Sequence, residues 1–137
     1  MTNLQNNQNA KQLITQARYL FTPEHEAKVE IRHGDNIWQA EAADVSKNHL
    51  SIICEQCSAL ESNEQIDFVQ VTVLEQTFDF SQLTLIKREV SKNGRKIRLV
   101  LRNDTDEETS RLLWQLSYVL RQQRVQGNEL SYDEFTL

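Results

Sequence analysis

Glycine, proline and cysteine are scarce in this chain of 137 residues, at three, one and two. So little glycine and proline excludes collagen-like and loop-rich low-complexity classes. No apolar run approaches the roughly 18–20 residues that a membrane helix needs. The stretch from Met1 to Asn9 lacks a basic start followed by an apolar run, so it does not read as a secretory signal. Two cysteines without an export signal imply a reducing, cytoplasmic setting. Basic charge is also short. The net charge of −5 argues against a general nucleic-acid coat, which needs a basic surface. What remains is a chain about one domain long, with ordinary hydrophobic (39%) and charged (26%) fractions.

The charge is unevenly placed. Residues 1–86 carry a balance of −7 and residues 103–137 one of −4, whereas residues 87–102 carry +6. Lys87, Arg88, Arg95, Arg98 and Arg102 lie in that stripe with Lys92 and Lys96, against Glu89 alone. Such a stripe suits an anionic ligand or an acidic partner. It equally suits a solvated hairpin that offsets an acidic body.

Residues 1–10 have almost nothing to bury and read as a disordered tail. A single domain is expected over residues 11–126, with a short tail over 127–137. Leu13, Ile14, Ala17, Leu20 and Phe21 share one helical face, which predicts an N-terminal helix ending at Thr22-Pro23. The period then drops to two. Six strands are expected, at Lys28–Arg32, Ile37–Val45, His49–Cys54, Ile66–Leu74, Phe78–Lys87 and Ile97–Leu101. Ser91-Lys92-Asn93-Gly94 reads as a hairpin turn. The fourth and fifth strands change parity midway, which a bulge or bend accounts for. Six short, bent antiparallel strands favour a small barrel.

A C-terminal helix follows, with Thr105 expected as its N-cap and Glu108 at N3. Leu112, Leu113, Leu116, Val119 and Leu120 form its apolar stripe. Trp114 and Tyr118, four residues apart, lie on the opposite face. A helix covering a barrel buries one face only, so this pair is a candidate partner interface.

Sites for chemistry are few. Cys54-Glu55-Gln56-Cys57 with His49 offers three zinc ligands where a structural site needs four, so the cysteines are taken as incidental thiols with no metal. There is no GxSxG, Walker loop or HExxH, and no paired carboxylates stand in an apolar setting. No catalytic residues and no cofactor are therefore expected. A small barrel that binds single-stranded nucleic acid through its basic hairpin remains an alternative. The stripe, however, contains no aromatic side chain for base stacking.

Asp44-Val45-Ser46-Lys47-Asn48-His49 sits at a strand-turn-strand junction, where Asp and Ser fix turns or face a ligand. This segment resembles the D/N-x-S-x-x-G turn of the PilZ family. Phe78 to Val90 with Gly94 and Ile97 to Leu101 resembles that family's closing hairpin, and Asp106 to Leu120 its terminal helix. The resemblance implies a small bacterial β-barrel with a C-terminal helix; with the strands and N-terminal helix read above, the expected fold is mostly β, a six-stranded antiparallel barrel with N-terminal and C-terminal helices. It also implies a role in cyclic di-GMP signalling. By the same resemblance Arg18, Asp44, Ser46 and His49 are the candidate ligand residues. His49 stands where the family has glycine. Arg18-Tyr19-Leu20-Phe21-Thr22 matches the family's RxxxR at its first arginine only. The expectation is a non-catalytic regulatory domain with a degenerate nucleotide site, working through a protein partner or self-association. The alternative is a receptor that holds cyclic di-GMP through noncanonical cations.

Overall fold

Where apolar residues recur at every second position the chain is extended. The strands are β1 (Tyr19–Leu20), β2 (Lys28–His33), β3 (Asn36–Val45), β4 (His49–Cys54), β5 (Gln65–Ile66), β6 (Phe68–Val73), β7 (Gln76–Phe80), β8 (Leu83–Val90) and β9 (Ile97–Asn103). One α-helix follows among the described residues, α1 (Glu107–Gln122). The computed structural model describes residues 18–55, 57 and 60–122. Both expected terminal tails lie outside them, as does most of the expected N-terminal helix.

The strands are antiparallel and run in the order β5-β8-β9-β4-β3-β2-β6-β7, with β1 added beside β3. Ile66 pairs with Leu83 and Val69 with Phe80 in one continuous register. β5 and β6 are thus two halves of one run bent at Asp67, and β7 and β8 are halves of another bent at Ser81 and Gln82. The first half of one run pairs with β8 and the second with β2, which closes the sheet on itself. Among the described residues nine strands stand where six were expected. Two expected strands are each cut by a bend, and β1 is new.

The bends explain the parity changes. Ile66 faces inward, and after the bend so do Val69, Val71 and Val73. Phe78 and Phe80 hand over to Leu83 and Leu85 in the same way. Further bulges lie between Ala42 and Asp44 in β3 and between Leu85 and Lys87 in β8. The Asn-Gly turn forms as expected: Gly94 takes a φ of +74° and its N–H donates to the Ser91 carbonyl at 2.9 Å.

The N-terminal helix is not what Tyr19 and Leu20 form. They pair with Val45 and Asp44 as β1, and the Phe21 N–H donates to the Ala43 carbonyl at 3.0 Å. An unsatisfied edge of β3 past its bulge offers these backbone groups partners. That tertiary gain overrides a helical periodicity only a few residues long.

Leu113, Leu116 and Leu120 of α1 are buried in the same core as Leu50, Ile52, Leu99 and Leu101, and the helix packs on β7, β1 and β3. Its cap is Asp106, not Thr105. Asp106 Oδ2 accepts the Thr109 N–H at 2.9 Å and its hydroxyl at 2.8 Å. Asn103 holds Asp106 in place through two hydrogen bonds to its backbone, of 3.0 and 3.1 Å. Thr105 takes a φ of +74°, outside the extended range an N-cap adopts. Cys54 and Cys57 are joined as a disulfide, which corrects the expectation of two incidental thiols.

Candidate functional site

The bulge in β3 sets the site. Before it, Ala42 opposes Ile52; after it, Val45 opposes Leu50 and points into the core. Asp44, opposite Ser51, is thereby turned to the outer face of the barrel. On that face β4 carries His49 and Ser51, and β9 carries Arg98, Val100 and Arg102, with His49 directly opposite Arg102. The Ser46 N–H donates to the His49 carbonyl at 2.9 Å and closes the turn that carries the Asp-x-Ser motif.

Asp44 is engaged by Arg98. The guanidinium Nη2 lies 2.8 Å from Asp44 Oδ2, and the two side chains are only 8% and 5% exposed. Such a charge-assisted bond is strong when water is excluded, and removal of either partner takes a close counter-charge from a buried ion. Arg102 is engaged as well. Its Nε and Nη2 donate to Asp104 Oδ1 at 3.2 and 3.1 Å, and Asp104 also bonds the Thr84 hydroxyl. Those bonds, from Thr84 first and then Arg102, hold the Asp104 carboxyl below its ordinary range.

His49 completes the corner. Burial is the main cause that pushes its pKa below 6.5, followed by the positive charges of Arg102 and then Arg18; Asp44 acts in the opposite sense. Arg18, Asp44, His49, Arg98 and Arg102 therefore converge on one corner together with the Ser46 turn. The family resemblance named Arg18, Asp44, Ser46 and His49 as candidate ligand residues. It did not show that Arg98 and Arg102 belong with them, nor that Asp104 and Thr84 hold Arg102.

A depressed histidine pKa has a stability consequence. The unfolded chain takes up the His49 proton near pH 6.5, whereas the fold resists it until a lower pH. Stability contributed by neutral His49 is present above that window and declines as pH falls through it. Urea midpoints should drop as pH is lowered from about 7.5 to 5.5, and the His49→Gln variant should flatten that slope. An equal slope in the variant would contradict the assignment.

The basic stripe is not one surface. Arg98 and Arg102 face the Asp44 corner, and Lys87, opposite Val100, is exposed on the same outer face, where it pairs with Glu89 at 3.4 Å; Lys92 and Arg95 lie exposed at the tip of the β8–β9 hairpin. Among the described residues no group of three His, Cys, Asp or Glu side chains is placed to hold a metal ion.

Trp114 and Tyr118 lie on the solvent side of α1, 60% and 45% exposed. Their rings stack at 5.6 Å with an interplanar angle of 15°. The Arg121 guanidinium sits over both Tyr118, at 5.7 Å, and Tyr19 of β1, at 5.5 Å. The aromatic pair is thereby tied to the strand that follows Arg18.

No family model matches the sequence, and no curated protein matches it. The fold, by contrast, has solved counterparts. The PilZ domain of YcgR from Escherichia coli, determined with c-di-GMP, matches with a TM-score of 0.58 at 15% identity, covering 84% of this chain and 97% of that one. YcgR in complex with c-di-GMP matches at 0.60 and 14% identity, covering 78% of this chain and 45% of that one. The MrkH–c-di-GMP complex of K. pneumonia matches at 0.59 and 13%, covering 80% and 52%. This chain spans about half the length of those two larger proteins. At such identities the likeness establishes architecture: this chain has a PilZ-like fold, an antiparallel β-barrel with a C-terminal helix.

Proposed function

We propose that this is a non-catalytic, PilZ-like regulatory domain in cyclic di-GMP-linked signalling, whose nucleotide corner has been turned into a structural ion pair and which acts through protein contacts. The observation that carries this reading is the buried bond between Asp44 and Arg98. A ligand that uses the Asp44 carboxylate must displace a guanidinium already bound there at 2.8 Å and leave it without that acceptor. His49 adds a side chain where the resembled motif has glycine, and Thr22 stands where that motif has its second arginine. Asp104 also engages Arg102, but that pair is 48% and 46% exposed and screened by water.

Protein contact is the activity left to the molecule. The stacked Trp114 and Tyr118 form an exposed aromatic patch braced by Arg121. Aromatics and arginine are the side chains that carry most energy in interfaces. Trp114→Ala should leave the unfolding transition within about 0.5 kcal/mol of the parent, as exposed substitutions usually do. It should nonetheless weaken self-association or partner capture at least tenfold, read by light scattering and by pull-down from the source cell. Unchanged assembly would remove the aromatic face from the mechanism.

The second reading, a receptor with noncanonical ligand contacts, is favoured by one observation. Arg18 and Arg102 both lie close enough to His49 to depress its pKa. A doubly anionic ligand at that rim would meet Arg18, the first arginine of the resembled motif, and Arg102, a cation which that motif does not specify.

A further inference from the structure

The outer face of α1 has the spacing of a helix that pairs with another helix. Glu107, Arg111, Trp114, Tyr118 and Arg121 recur at steps of four and three residues, and all five are exposed. At about 100° per residue they form one narrow stripe along the helix. Alternating steps of four and three are the seam of a two-helix pairing. Leu113, Leu116 and Leu120 take up the other face, against the barrel.

The charges on the outer stripe state what fits it. Glu107 stands seven residues before Trp114 and Arg121 seven after it, about 10 Å away on either side. The stripe is acidic in the first turn, aromatic in the middle and basic in the last turn. It is therefore its own complement when reversed. A second copy laid antiparallel, with Trp114 on the twofold axis, sets each Glu107 against Arg121 of the other copy and opposes the two helix dipoles. A parallel copy would set Arg121 on Arg121. A register that faced Trp114 with Tyr118 would set Arg111 on Arg121. Like charges disfavour both arrangements. Arg121 is held over Tyr118 and Tyr19, and Arg111 is bonded to Glu108. These side chains are thus ordered before contact, which lowers the entropy lost on association.

We propose that the outer face of α1 is a homodimer seam, on which two copies of this chain pair antiparallel through Glu107, Trp114, Tyr118 and Arg121. This rests on the protein-contact reading above and names the partner as a second copy. A seam about 21 Å long from Glu107 to Arg121 is at the small end of specific interfaces, so the dimer exchanges with monomer.

Light scattering over a concentration series should show the parent passing from monomer to dimer below about 1 mM. Glu107→Lys and Arg121→Glu each place like charges at both ends of the seam, and each should weaken the dimer at least tenfold. Mixed together, these two variants should restore it, because the antiparallel register again sets opposite charges at both ends. Circular dichroism and a melting curve on each variant separate loss of fold from loss of contact. The inference is overturned by a parent that stays monomeric over that range, by a dimer that Trp114→Ala leaves intact, or by two folded variants whose mixture stays monomeric. A monomeric parent from which Trp114→Ala still removes capture of a different protein overturns the second copy alone and leaves the protein-contact reading standing.

Discussion

Asp44→Ala is expected to destabilise the fold by about 3–5 kcal/mol, the usual cost of removing one member of a buried ion pair. The loss is large because the Arg98 side chain stays buried after its carboxylate is gone. Replacement of both members together, as Asp44→Leu with Arg98→Leu, is expected to recover much of that loss. Apolar side chains in place of a buried pair are often neutral or better. Urea unfolding of the parent, both single variants and the double variant gives the coupling energy directly. A single-variant loss below about 1 kcal/mol would mean that water screens the pair as at an exposed surface. The Asp44 carboxylate would then be open to a ligand, contrary to the account.

A gain of binding is expected from the opposite manoeuvre. Thr22→Arg combined with His49→Gly restores the two positions at which the chain departs from the motifs it resembles. The first supplies a second guanidinium four residues after Arg18. The second clears the side chain that fills the turn beside the Ser46–His49 bond. A hydrogen bond to a charged group contributes about 1.5–3 kcal/mol, so affinity for cyclic di-GMP should rise about tenfold or more. Thr22 also bonds His25, through its N–H to Nδ1 at 2.9 Å. Some stability is therefore lost alongside, which a melting curve without ligand measures separately. If the double variant folds and binds no better than the parent, the departures are not what silences the corner.

Much of the barrel was legible because alternation is a local signal. The parity changes after Ile66 and after Phe80 marked two bends that close the sheet. The bulge in β3 was not legible. Ala40, Ala42 and Ala43 carry side chains too small to mark which face they take, yet this bulge aims Asp44 outward. The ion pair was hidden for a different reason. Asp44 and Arg98 are 54 residues apart, and alternation about Leu99 and Leu101 puts Arg98 on the outer face, where a cation reads as solvated. Burial of an outer face depends on what covers it, and strand periodicity is silent on that. β1 was misread because five apolar positions fit a helix, while the β3 edge that captures Tyr19 and Leu20 lies more than twenty residues on.

The cap of α1 shows the same limit at short range. Thr105 and Asp106 both suit an N-cap by type. The choice falls to Asp106 because Asn103, the last residue of β9, bonds both its N–H and its carbonyl. A cap set by the preceding strand cannot be read from the helix alone.

The most direct measurement is a calorimetric titration of the unmodified chain with cyclic di-GMP. The occupied Asp44 corner predicts no saturable heat in the micromolar range. Saturable micromolar binding that Asp44→Ala abolishes, with the variant still folded, would show the carboxylate serving the nucleotide rather than Arg98 and would contradict the account.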